Sequence, residues 1–136
     1  MENAKLMVVD DDPNIISAFE YLSKVQPVEF IPLLFSGQNP AEITNALNHS
    51  DTVIVDYDLG VPTITGIDVI KELLKTGFPP ERVYLCSGYS NIPSLQIFAQ
   101  NCGIPVIKKP LPRSVSFRVI SGGGYRETRD FNSLQQ

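Results

Sequence analysis

Apolar positions along this chain follow two alternating patterns. Short runs rich in apolar residues are Leu6-Met7-Val8-Val9, Thr52-Val53-Ile54-Val55, Arg82-Val83-Tyr84-Leu85-Cys86 and Pro105-Val106-Ile107-Lys108. Such near-continuous runs are the mark of parallel strands covered on both faces. Between them, apolar residues recur at helical spacing. Ile15, Ile16, Phe19, Leu22 and Val25 predict a helix, with Asp12 as its N-cap, Pro13 in its first turn and Pro27 as its stop. Residues 28–35 predict another strand; Pro32 gives no ladder donor and assigns that strand to an edge or a bulge. Asn39-Pro40 opens a helix through Ile43, Ala46 and Leu47. Residues 60–65 read as a loop. Ile67, Val69, Ile70, Leu73 and Leu74 then predict a helix ended by Gly77 and Pro79-Pro80. Residues 94–100 predict a short helix closed near Gly103.

Strand and helix alternate through five repeats up to Lys109. That rhythm predicts an α/β fold, a doubly wound five-stranded parallel sheet with right-handed crossovers and helices on both faces. After Lys109-Pro110 a fifth helix is expected, yet Val115, Phe117 and Val119 alternate with polar residues, which is strand spacing. Residues 111–120 therefore read as either a short, atypical fifth helix or a strand. Gly122-Gly123-Gly124 ends that element, and residues 125–136 read as a polar tail, hairpin arm or linker. The domain is expected to occupy residues 1–120, with 121–136 as the tail or linker.

Composition narrows the class. A chain of 136 residues, 43% of them apolar, is the size of one domain with a real core. A net charge of −4 argues against nucleic-acid binding through the whole surface. No segment approaches the roughly 20 apolar residues of a membrane span. Met1 stands close to the first strand, so the start is expected to be native and without a signal peptide. Cys86 and Cys102 have no metal-ligand spacing, Cys86 reads as a small core residue, and a reducing cytoplasmic setting is expected. No output motif follows Lys109, so the chain is expected to be a stand-alone unit or the N-terminal part of a longer one.

The candidate chemistry lies where the strands end. In open α/β sheets, ligands bind beyond the carboxyl ends of the strands. Asp10-Asp11-Asp12, Asp56, Ser87 and Lys109 stand at those ends. Asp56 is the candidate phosphoacceptor, because a carboxylate can attack a phosphoryl group to form an acyl phosphate. The barrier to such transfer lies mostly in positioning and charge neutralisation. Mg²⁺, or Mn²⁺ in its place, takes oxygen ligands. Asp11 and Asp56 would each supply a carboxylate oxygen, Asp58 its backbone carbonyl, and Asp10 a direct ligand or a hold on a metal-bound water. Lys109 would pair with the phosphoryl group, and Ser87 would donate to a phosphoryl oxygen. Gly88 would leave room for a phosphodonor. Only one of Lys108 and Lys109 can face the site. His49 is expected to have no role, and Arg113, Arg118, Arg126 and Arg129 read as a solvated tail.

Four segments resemble the receiver domain of two-component response regulators: Met7-Val8-Val9-Asp10-Asp11-Asp12, Val53-Ile54-Val55-Asp56, Leu85-Cys86-Ser87-Gly88 and Lys108-Lys109-Pro110. The resemblance runs from Lys5 to about Ile120. It implies a flavodoxin-like strand order 2-1-3-4-5 and selects Lys109 over Lys108. It also implies Mg²⁺-dependent transfer of a phosphoryl group to Asp56 from a histidine kinase or phosphotransfer protein. Phosphorylation would then shift a two-state surface that binds an effector or a second copy. In that family the domain is a signalling module that assists its own phosphorylation and dephosphorylation, not an enzyme with a separate substrate. By the same resemblance, Asp58 and Tyr89 flank the phosphoryl group, with Tyr89 as a shield against water. The chain departs from the family in three places. The stretch between Asp56 and Gly66 is about two residues longer, Val106 replaces a common aromatic ring, and the fifth helix is atypical.

Two rival readings share these residues. Val53-Ile54-Val55-Asp56-Tyr57-Asp58 also resembles the first motif of haloacid-dehalogenase-type phosphatases, with Asp56 as nucleophile and Asp58 as acid and base. Gly60 in place of that family's Thr or Val, and the lack of a late acidic pair at a strand end, count against it. The other rival is a degenerate receiver that acts as a phosphorylation-independent interaction module.

Overall fold

The computed structural model describes residues 4–24, 28–88 and 92–108. The expectations for Tyr89, Lys109 and segment 111–136, including the atypical fifth helix and the tail, lie outside the described residues. In chain order the elements are β1 (Ala4–Asp10), α1 (Pro13–Ser23), β2 (Val28–Leu34), α2 (Pro40–Asn45), β3 (Thr52–Asp56), β4 (Asp58–Val61), β5 (Ile64–Thr65), α3 (Gly66–Lys75), a 3₁₀ turn (Pro80–Arg82), β6 (Val83–Ser87), α4 (Pro93–Cys102) and β7 (Val106–Lys108).

Five strands form one parallel sheet in the order β2-β1-β3-β6-β7. Counted along the sheet-forming strands alone, this is the flavodoxin-like order 2-1-3-4-5. Pro32 lies on β2, at the edge, where its missing N–H leaves no inner ladder incomplete. The pairing of β2 with β1 runs in unbroken register from Ala4 opposite Val28 to Asp10 opposite Leu34, so the edge placement holds without a bulge.

Side chains alternate across the strands, and both faces are buried. Met7, Val9, Val53, Val55, Val83 and Leu85 pack on one face with Ile43 of α2, Val69, Ile70 and Leu73 of α3, and Leu95 of α4. Leu6, Val8, Ile54, Tyr84, Cys86 and Ile107 point the other way, where Phe19, Ile15 and Ile16 of α1 meet them. Double coverage is the reason the strands read as continuous apolar runs. Fully burying each Leu, Ile or Val contributes about 1.5–3 kcal/mol.

Caps aim the helices at the strand ends. Asp12 Oδ1 accepts from the Asn14 amide at 2.9 Å, which caps α1 directly after β1. At α3, Thr65 Oγ1 accepts from the Ile67 amide at 3.2 Å and Asp68 Oδ2 accepts from the Thr65 amide at 2.8 Å. This reciprocal pair satisfies amides that a helix start leaves open.

The largest departure from the sequence reading is at residues 60–65, expected as a loop. β4 and β5 pair antiparallel there, with Asp58 opposite Thr65 and Val61 opposite Ile64. Leu59 is 1% exposed and anchors this hairpin in the core, while Val61 and Ile64 pack against it. Apolar residues at 59, 61 and 64 are what let so short a ribbon hold. Two smaller shifts are in the ends of strands: residue 82 belongs to the 3₁₀ turn and Ser87 to β6.

Candidate functional site

β1 and β3 are neighbours, with Val9 in register with Val55. Their next residues, Asp10 and Asp56, therefore emerge side by side at the carboxyl end of the sheet, 2% and 4% exposed. Asp11, one step beyond β1, is exposed. One carboxylate oxygen from each of Asp10, Asp11 and Asp56 lies within 4.8 Å of the others.

Successive aspartates have separate tasks. Asp10 Oδ1 accepts from the Asp12 amide at 2.9 Å, and the Asp10 carbonyl accepts from the Phe35 amide at 2.8 Å. These bonds fix the turn that presents Asp11. Asp12 caps α1 as described. Desolvation pushes the Asp11 carboxyl above its ordinary value, a backbone hydrogen bond opposes this, and the negative charges of Asp10 and Asp58 add to the rise. Asp58 is exposed, and its Oδ1 accepts from the Gly60 amide at 3.0 Å, which starts the hairpin.

Ser87 ends β6 and is 2% exposed; its strand pairs with β3, Asp56 opposite Cys86. The Cys86 carbonyl accepts from the Tyr57 amide at 2.8 Å, which ties the residue after Asp56 to the strand carrying Ser87. A Cβ at Gly88 would meet nothing within 4 Å, so the approach over it is open. An open cleft of about 570 Å³ is lined by Asp11, Asp12, Pro13, Asp56, Asp58, Ser87 and Gly88. Val106 is half-buried opposite Leu85, and Lys108, in register with Ser87, is exposed. The fold thus brings Asp10, Asp11, Asp56, Asp58, Ser87 and Gly88 to one rim.

The donor set suits a hard divalent cation. Three carboxylates at this spacing repel one another, and a cation that takes oxygen ligands offsets that repulsion. No sulfur or imidazole ligand belongs to the cluster.

Two glycines at this rim carry more than the sequence reading assigned to them. Gly60 lies against the Asp11 carboxylate, and a Cβ at Gly66 would collide with the Asp56 carbonyl oxygen. In the sequence Gly66 is only a spacing mark and Gly60 a loop residue. Gly60 between Leu59 and Val61, an interruption of an apolar alternation, was the signal available.

No family model matches the chain, and no curated protein matches it. Solved structures do. A response regulator receiver domain protein from Clostridium thermocellum is 23% identical, with 98% of this chain and 99% of that one covered and a TM-score of 0.69. A response regulator receiver domain protein from Methanospirillum hungatei is 18% identical, with 99% and 100% covered and a TM-score of 0.72. A response regulator from Burkholderia pseudomallei, solved with a phosphorylated aspartic acid, a calcium ion and citrate, is 16% identical, with 98% and 72% covered and a TM-score of 0.70. At these identities the likeness is one of fold, and the fold is that of response-regulator receiver domains. No helix among the described residues is long and apolar enough to cross a membrane.

Proposed function

We propose that this chain is a working receiver in which Asp56 accepts a phosphoryl group from a histidine kinase or phosphotransfer protein and thereby switches the binding of a partner. The observation that carries this reading is the convergence of Asp10, Asp11 and Asp56 within 4.8 Å at the carboxyl rim of a receiver fold. The Burkholderia relative, with its phosphorylated aspartate and calcium ion, supports it.

An oxygen of Asp56 attacks phosphorus, and the bond from phosphorus to the donor breaks. The departing group, imidazole nitrogen or acetate oxygen, keeps the electron pair. Asp10, Asp11, Asp56 and the Asp58 carbonyl would hold Mg²⁺ or Mn²⁺. When bound, that ion supplies positive charge against the phosphoryl oxygens. Ser87 donates its hydroxyl to the phosphoryl group, Lys109 pairs with it, and Gly88 leaves the donor's path open. Tyr89 screens the product from water, and Asp58 and Val106 tune its lifetime and readout. The unit spans residues 1–120, with 121–136 as a tail or linker, and acts in the cytoplasm.

The test is incubation of the purified chain with acetyl phosphate and Mg²⁺, read by intact mass beside Asp56→Asn. A single phosphoryl gain in the unaltered chain alone is the expected result. Absence of any gain, with Mg²⁺ still bound, would assign the chain to phosphorylation-independent receivers; steady hydrolysis of a phosphate monoester, which is not a donor to receivers, would make it a phosphatase. A Tyr89→Ala protein should lose its phosphoryl group faster, and an unchanged decay rate would remove the shield.

A further inference from the structure

Gly60 has a left-handed backbone, φ +77°, in the hairpin strand beside the acidic cluster. A Cβ built there would stand 2.6 Å from Asp11 Oδ2 and 3.3 Å from Asp11 Cγ. Real Cβ atoms do not approach so closely. The hairpin reaches Asp11 only because residue 60 has no side chain.

The hairpin is braced at both ends. Asp58 Oδ1 holds the Gly60 amide at 3.0 Å. Thr65 joins the reciprocal cap of α3 through the 2.8 Å bond from its amide to Asp68 Oδ2. Leu59 anchors the ribbon in the core. Asp11 is also gathered with Asp10 and Asp56, their carboxylate oxygens within 4.8 Å of one another. The Asp11 carboxylate is therefore close both to the braced hairpin backbone and to its two partner carboxylates.

We propose that Gly60 is a positioning residue for cation binding: its bare backbone closes the hairpin against Asp11 and keeps that carboxylate turned towards Asp56. The inference rests on the reading of Asp10, Asp11 and Asp56 as cation ligands. The group in the way of a side chain at 60 is the far end of an exposed Asp, not backbone. Relief comes from turning Asp11 aside, which leaves the fold standing and removes a ligand. Gly66 differs, because a side chain there meets the backbone carbonyl of Asp56, which has no such freedom.

The test is calorimetric titration of Mn²⁺ into the full chain. Gly60→Ala should weaken Mn²⁺ binding about tenfold or more. Gly103→Ala is the control: it places a methyl on a similar backbone, φ +70°, with nothing within 4 Å. Its affinity should change by less than about twofold. In an Asp11→Asn background, Gly60→Ala should add less than about twofold, since the ligand it displaces is already gone. Should Gly60→Ala fail to fold, Gly60→Asn brings the same Cβ on a residue that tolerates left-handed backbone. Unchanged affinity in the folded Gly60 variant overturns the inference and leaves the cation site standing. So does an equal loss in the Asp11→Asn background. No Mn²⁺ binding by the unaltered chain removes the cation reading itself, and the inference with it.

Discussion

β3 is bracketed by two buried aspartates that do different work. Asp51, just before the strand, is 3% exposed, and Asp56, its last residue, is 4% exposed. Asp51 Oδ2 accepts from the Asn48 amide at 2.8 Å. Around it the loop is closed by neutral and cationic partners. Arg82 Nη1 donates to the Ser50 carbonyl at 2.9 Å, and the His49 ring stands edge-on to Phe78. Asp56 has two more carboxylates close beside it. Burial of a carboxylate therefore does not mark a site. What gathers around it separates the two: a backbone amide fixes Asp51 in its loop, whereas further carboxylates converge on Asp56, the arrangement on which the proposed cation and phosphoryl site rests.

The largest effect should come from Asp56→Asn, which keeps the shape and removes the proposed nucleophile. Phosphoryl gain by intact mass should fall to zero while the circular dichroism spectrum is retained. Residual single phosphorylation would move the acceptor elsewhere. Asp51→Ala should do the reverse. It removes the Asn48 bond and should cost about 1–3 kcal/mol in a urea unfolding titration, with the phosphoryl gain of the folded protein intact. Loss of phosphorylation there would erase the distinction between the two ends.

Asp11→Asn sharpens the comparison through charge. The raised pKa of Asp11 means that the folded chain binds that proton more tightly than the unfolded chain does. Its contribution to stability is thus greatest in acid and is lost as pH rises through the folded pKa. Asn is neutral at every pH. The metal-free variant should melt higher than the parent at neutral pH, and added Mg²⁺ should raise its melting point less. A lower melting point in the variant would mean that the carboxylate is held by donors after all. The smallest effect should be that of Arg82→Ala, about 0.5–1.5 kcal/mol for one exposed hydrogen bond. Its Mg²⁺ response should match the parent's.

Much of the molecule was legible along the chain. The burial of Leu6, Met7, Val8 and Val9 on the two faces of β1 was legible as a continuous apolar run, and Asp12 before Pro13 is a helix start that local chemistry dictates. Pro32 at an edge follows from a missing N–H. Asp10, Asp11, Asp56 and Ser87 could be placed on one rim, because parallel strands present their last residues together.

The hairpin at 58–65 was not legible. Its pairing is short, and its hold comes from Leu59 in a core built by distant elements. Periodicity, caps and breakers act between residues a few positions apart, so they survive in the sequence as pattern. The approach of Gly60 to Asp11, the collision course of Gly66 with Asp56, and the contrast between Asp51 and Asp56 depend on which atoms fold to within a few ångströms of one another. Electrostatics and steric contact are functions of that distance, and only the packed chain supplies it.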